Sequence, residues 1–175
     1  NLFDPYDGKN DLENGLVNFI GDTDERIKED YLRILRYLRF FLDYSKQPHS
    51  LEVIRKLKIN IGGISKLSKE RLLEELRKII KLNTLEKISK DKLSSELIMM
   101  VFPELKKLDI FSNLSSLKKD LIKEIDFIFF LTLLTIDETD NLDYFLYKYN
   151  ISKKDQKRLK IIDNFYKEKI NKNSF

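Results

Sequence analysis

The chain has no cysteine, a single histidine, three prolines and five glycines in 175 residues. Without cysteine there is neither a disulfide framework nor a thiolate metal site, which disfavours zinc enzymes and thiol nucleophiles and suits a reducing, cytoplasmic setting. The one histidine, His49, follows Pro48 and reads as an exposed turn residue, with no serine or acid constellation to make it catalytic. Long apolar runs are missing as well. The longest, Phe127 to Ile136, is bracketed by Asp126 and Asp137 and falls far short of the roughly 20 residues that span a bilayer. It reads as a buried helix, and no membrane partner is expected.

A hydrophobic content of 42% is enough to build a core in one substantial domain or two small ones. Net charge is +4, unevenly spread: residues 1–30 carry nine acids against three bases, and residues 146–175 carry nine bases against three acids. A basic terminal segment suits an RNA backbone. The competing explanation is compositional, because only eight of the 33 basic residues are arginine and a lysine excess needs no partner.

The opening NLFDPYDGKNDLENG, with Pro5, Gly8 and Gly15, reads as a strand end, a turn and a short helical piece, and Leu16 to Ile20 as a short strand. Asp22 or Asp24 is expected to cap a long helix reaching about Tyr44, since acids crowd its first turn and Ile27, Tyr31, Ile34, Leu35, Leu38 and Leu42 recur at helical spacing. Beyond Pro48 everything reads helical. One segment opens at Ser50 and reaches about Leu57; another opens at Ser68 and runs to about Leu82, with Gly62 and Gly63 between them. A helix follows Ser89 and stops before Pro103, another starts near Ser115 and includes the apolar run, and the last starts at Ser152. The fold class is therefore mainly α, with a short β/turn remnant at the start. That remnant suggests a first strand belonging to a sheet not present in the chain.

The most informative stretch is ERIKEDYLRILRYLRF, Glu25 to Phe40, where Glu29 and Asp30 are followed by Arg33, Arg36 and Arg39. On one helix, positions three apart are surface neighbours, so Asp30 and Arg33 can act as one hydrogen-bonding unit while Arg36 and Arg39 continue the ridge. A carboxylate accepts from an exocyclic amine and a guanidinium donates to a ring nitrogen or carbonyl, which together supply a Watson–Crick-like pattern. The other guanidinium forks suit phosphate oxygens. The plainer reading is a solvated helix face with local ion pairs.

With these residues the chain resembles the class II tRNA nucleotidyltransferase and bacterial poly(A) polymerase family. Asp4, Pro5, Gly8, Asp11 and Leu12 look like its hinge motif, and Glu29, Asp30 and Arg33 look like its EDxxR motif. Ser68, Glu70, Arg71 and Glu75 in LSKERLLEELRKII look like a later motif, a helix that supports the neck, and VFPEL at 101–105 is similar to a segment near the end of neck and body. Asp7 departs from the small residue found beside the glycine in many members, a change that turn geometry tolerates.

The resemblance implies a head, neck, body and tail. Residues 1–21 would be the end of the head and the hinge, 22–105 the helical neck and start of the body, and 106–175 the helical body and tail. It implies Asp30 and Arg33 as an amino-acid template that pairs with the base of CTP or ATP, Glu29 bracing the arginine, and Arg36 and Arg39 lining the nucleotide pocket. Gly8, Asp11, Ser68, Glu70 and Arg71 would be supporting residues, and tRNA the RNA partner. The family's Mg2+ is held by head carboxylates, expected N-terminal to Asn1, so the chain alone is expected to be inactive and to hold no catalytic or metal-binding residues. Asp22 and Asp24 have the letters of a DxD motif but read as helix-capping acids. Poly(A) synthesis and a stand-alone helical RNA-binding module are the alternatives, and Tyr144, Tyr147 and Tyr149 beside the basic tail could stack on RNA.

Overall fold

A computed structural model describes residues 3–122, 124–137 and 139–172. The first two and last three residues, Lys123 within the helix expected from Ser115, and Glu138 lie outside the described residues. The chain folds as α1 (Gly8–Asn14), α2 (Thr23–Glu29), α3 (Arg33–Tyr44), α4 (Leu51–Asn60), α5 (Lys69–Ile79), α6 (Leu82–Lys90), α7 (Lys92–Val101), α8 (Ser116–Ile122), α9 (Phe127–Thr135), α10 (Asn141–Lys148) and α11 (Lys153–Lys172), with 3-10 turns at Ile61–Lys66 and Leu108–Phe111. The mainly α class holds. No helix among the described residues is long and apolar enough to cross a membrane.

The side chains of Asp22, Ser50, Ser68, Asp91 and Asp126 accept from backbone amides at the starts of α2, α4, α5, α7 and α9, satisfying donors that a helix N-terminus otherwise leaves free. Helix α3 is the hub, packing against α2, α5, α6 and α7 through Ile34, Leu35, Leu38 and Leu42, all buried. Helix α9 packs on α10 and α11, and the Leu108–Phe111 turn on α6. At VFPEL, Val101, Phe102 and Leu105 are buried, and the buried Glu104 accepts from Lys148 Nζ at 2.7 Å, tying α10 to the segment after α7. In the apolar run Phe130 is buried, while Arg77 lies over the half-buried Phe127 ring, 4.4 Å from its centroid.

Several expectations are corrected. Leu16 to Ile20 is not a strand, and among the described residues no strand forms. Val17 and Phe19 do point inward in alternation, which is what suggested a strand, but they pack on helices and the backbone has no ladder partner. The long helix from Asp22 to Tyr44 breaks at Asp30, whose backbone is extended at φ −151 and ψ 103. Its Oδ1 accepts from the Leu32 amide at 3.1 Å, a local bond that competes with helix continuation. The helix expected to run from Ser68 to Leu82 ends at Ile79, because Ile80 and Lys81 are extended, and α6 starts anew. The apolar run forms its own helix behind an Asp126 cap, and α10 is a separate helix in the stretch before Ser152, where no individual helix was assigned. His49 is buried rather than exposed.

Asp7 takes the left-handed φ of 55, as an Asp in a turn can. Gly63 matters for a different reason. A Cβ there would sit 2.0 Å from the Tyr31 ring, whereas one on Gly62 would meet nothing within 4 Å. Gly63→Ala is therefore expected to destabilise the chain by about 1–3 kcal/mol, the usual cost of overpacking, with Gly62→Ala near neutral. Urea unfolding of the two variants checks this, and equal midpoints would refute it.

Candidate functional site

A cleft of about 260 Å³ lies where the segment after α1 crosses α2 and α3, lined by Val17, Asn18, Phe19, Ile20, Arg26, Arg33, Arg36, Tyr37 and Phe40. Its walls combine three guanidinium groups with three aromatic rings. Phe19 stacks on Tyr37 with ring centroids 5.8 Å apart and planes 15° apart. The segment 17–20 holds this wall because Val17 and Phe19 are anchored in the core. Cation and flat apolar wall together are the chemistry of a site for an aromatic anion such as a nucleotide.

Glu29 stands at the centre of the charge arrangement. Its Oε2 accepts from Arg26 Nη1 at 2.6 Å and from Arg33 Nη1 at 2.8 Å. The Arg26 guanidinium, with Arg33 adding to it, holds the Glu29 carboxyl below the usual carboxylate range against partial desolvation. Arg33 Nη1 also donates to the Arg26 carbonyl at 3.0 Å, so the guanidinium is fixed from two sides. Asp30 lies beside it, in the break between α2 and α3. Both Asp30 oxygens accept from Arg71 Nη2, at 3.1 and 3.0 Å, and Oδ2 lies 3.8 Å from Arg36 Nη1. The Asp30 side chain remains 23% exposed, neither sealed in the core nor free in solvent.

The arginine ridge divides. Arg33 and Arg36 line the cleft, whereas Arg39 is turned to α5, where its Nε donates to the buried Glu75 at 2.6 Å. Residues spaced by three on an α-helix drift by about 60° per step, so the third arginine leaves the face of the first. Asp30 is adjacent to the cleft through Arg36 but is not one of its lining residues. Gly8 and Asp11 line a neighbouring groove of about 240 Å³ that shares Val17, Asn18, Ile20 and Phe40 with the cleft. Ser68 caps α5 through the Arg71 amide at 3.3 Å, and Glu70 is exposed in the first turn of that helix. The ion pairing of Arg71 is not local: it reaches Asp30, 41 residues away.

The sequence reading missed Arg26 and the aromatic wall. Arg26 lies seven residues before Arg33, a helical spacing that the break at Asp30 obscures. It also missed the polar core behind the wall: Tyr37 Oη is 3.0 Å from His49 Nδ1, and His49 Nε2 is 2.9 Å from both Asp91 Oδ2 and Ser94 Oγ. Asp22 accepts from the Glu25 amide, and Asp24 from Lys28 and from Asn60 Nδ2, the latter at 2.7 Å, so both acids serve the helix start and its packing. Among the described residues no three His, Asp or Glu side chains group as metal ligands. Near the basic tail Tyr149 is buried, Tyr144 is exposed and Tyr147 is 87% exposed.

The homologues of this chain are CCA-adding enzymes. No family model matches it. Over 81 residues it is 43% identical to human CCA tRNA nucleotidyltransferase 1, mitochondrial, an alignment covering 45% of this chain and 19% of the relative. It is 39% identical over 83 residues to the CCA-adding enzyme of Staphylococcus haemolyticus (strain JCSC1435), covering 46% and 20%, and 35% identical over 86 residues to that of Staphylococcus aureus (strain Newman), covering 49% and 21%. The chain spans about one fifth of the length of these curated relatives.

Proposed function

We propose that this chain is the nucleotide-selecting and tRNA-binding part of a tRNA nucleotidyltransferase that adds C and A to the tRNA 3′ end. The observation that carries the reading is the convergence of Arg26, Arg33 and Arg36 with Phe19, Tyr37 and Phe40 on one cleft, beside a partly exposed Asp30 carboxylate. Here Asp30 accepts from the exocyclic amine of cytosine or adenine and Arg33, braced by Glu29, donates to the ring edge. GTP and UTP present a carbonyl oxygen where the amine should be, which faces a carboxylate that has only lone pairs to offer. Arg36 and Arg26 serve the anionic part of the nucleotide. The basic residues of α11 and the exposed Tyr147 serve the tRNA backbone and bases. The Mg2+-dependent transfer would be the work of the head carboxylates of such an enzyme. The names of the relatives favour CCA addition over poly(A) synthesis.

The test is a chemical-shift titration of the chain with CTP, ATP, GTP and UTP. CTP and ATP are expected to bind more tightly by on the order of ten- to a hundred-fold, the value of one lost and repelled contact at about 1–3 kcal/mol. Asp30→Ala is expected to erase that preference. A loss of equal size for all four nucleotides, or no preference in the parent chain, overturns the reading.

A further inference from the structure

We infer that Arg71 is a specificity-determining positioning residue, which sets the direction of the Asp30 carboxylate and so decides which base edge it can accept. The inference rests on the base-reading role of Asp30 proposed above. Asp30 sits in the extended break between α2 and α3, where the backbone alone does not fix its side chain. Three contacts do: the Leu32 amide on Oδ1, and one amino group of Arg71 shared between Oδ1 and Oδ2. Oδ1 therefore takes two hydrogen bonds and Oδ2 takes one. The remaining acceptor capacity is concentrated on Oδ2, the oxygen nearest Arg36, which lines the cleft.

Arg71 itself does not line the cleft. It acts from α5, held in place by the Ser68 cap on its own amide, so the helix carrying Ser68, Glu70 and Arg71 is tied to base choice through a single side chain. Without the guanidinium, Asp30 keeps the Leu32 bond on Oδ1 and only the loose 3.8 Å ion pair from Oδ2 to Arg36, and can turn, so that Oδ2 is no longer fixed for an amine. Discrimination then falls while affinity for the favoured nucleotides changes less.

The bond pattern also predicts which substitution is tolerated. Both bonds come from one nitrogen, Nη2, rather than from the two-nitrogen fork that makes arginine irreplaceable at other carboxylates. An ammonium offers three donors from one nitrogen, so Arg71→Lys should retain the selectivity and Arg71→Met should lose it. Arg71 is 47% exposed, so neither change should prevent folding.

The experiment titrates the parent, Arg71→Met, Arg71→Lys, Asp30→Ala and the Asp30→Ala/Arg71→Met double variant with the four nucleotides, alongside melting curves. Arg71→Met is expected to cut the preference for CTP and ATP by about tenfold, the scale of coupling between contacting residues. Arg71→Lys should restore most of it, and Arg71→Met should have no further effect once Asp30 is alanine. Parent-like preference in Arg71→Met, alongside a lost preference in Asp30→Ala, overturns the role of Arg71 and leaves the base-reading role intact. Unchanged preference in Asp30→Ala overturns that underlying reading instead. A drop in melting temperature that accounts for equal weakening of all four nucleotides marks Arg71 as a structural support only and also refutes the inference.

Discussion

An Arg39→Ala chain is expected to be about 3–5 kcal/mol less stable than the parent, the cost of removing one partner from a buried ion pair. Glu75 is 2% exposed, and its Oε1 accepts from Arg39 Nε at 2.6 Å. The other oxygen has only the Lys78 ammonium at 3.4 Å, from a side chain that is 55% exposed and easily solvated away. The substitution also strips the guanidinium from the Phe40 ring, over which it lies 4.3 Å from the centroid. The buried carboxylate is then left without its compensating charge, which is more damaging than losing the attraction itself. Arg39→Ala combined with Glu75→Leu should recover most of the loss, since an apolar replacement of a whole buried pair is often neutral. Urea unfolding measures both, and a single-variant cost below about 1 kcal/mol, the range of surface pairs, would refute the buried role. Arg39 does not line the cleft, so Arg39→Lys should leave the nucleotide preference unchanged.

This division of labour among the arginines shows where sequence reading reaches and where it stops. The helical class, the caps at Asp22, Ser50 and Ser68, and the burial of Phe130 follow from local rules: a short polar side chain before an amphipathic segment, and an apolar run bounded by acids. Breaks made by hydrogen bonds rather than by Gly or Pro left no such mark. At Asp30 the interruption depends on a bond to the Leu32 amide and an arginine 41 residues away, and at Ile80 and Lys81 on the Lys81 amide, which donates to Thr84 Oγ1 at the start of α6. The candidate site was legible as a set of residue types but not as a surface. Equal spacing of Arg33, Arg36 and Arg39 suggested one ridge, yet the helical drift hands the third to a buried glutamate on α5, while Arg26 joins from the other side of the break. Likewise His49 could be judged only by its neighbours in space, which come from α3 and α7.

Those neighbours make the second large effect. His49→Leu is expected to cost about 1–3 kcal/mol, the penalty for the buried polar group it strands, the Tyr37 hydroxyl, because Ser94 Oγ keeps Asp91 as a partner. Asp91 can only accept when ionised, so His49 Nε2 carries the proton toward it and Nδ1 accepts from the Tyr37 hydroxyl. Burial and then the Asp91 charge push Tyr37 up to about 12, so it stays a donor throughout the neutral range. Burial lowers the His49 pKa, and the Asp91 carboxylate offsets only part of that. Burial pushes Asp91 upward, but the Ser94 hydroxyl and amide, with His49, outweigh it and hold Asp91 below its usual value. The signs then agree. Below about pH 6.5, the ordinary histidine value, the unfolded chain binds a proton that folded His49 resists, so stability falls with pH by at most about 1.4 kcal/mol per unit until the depressed folded pKa is passed. A further loss follows below about pH 4, where unfolded aspartate protonates before folded Asp91 does. The leucine variant should lack the upper of these two steps and keep the lower in weakened form, because Ser94 still serves Asp91. Urea midpoints between pH 7.5 and 3.5 resolve them, and an upper step of the same size in His49→Leu would assign it to another group. Because the Tyr37 ring forms part of the cleft wall, the same variant should also weaken binding of all four nucleotides without changing their order, separating the wall from the base-reading carboxylate.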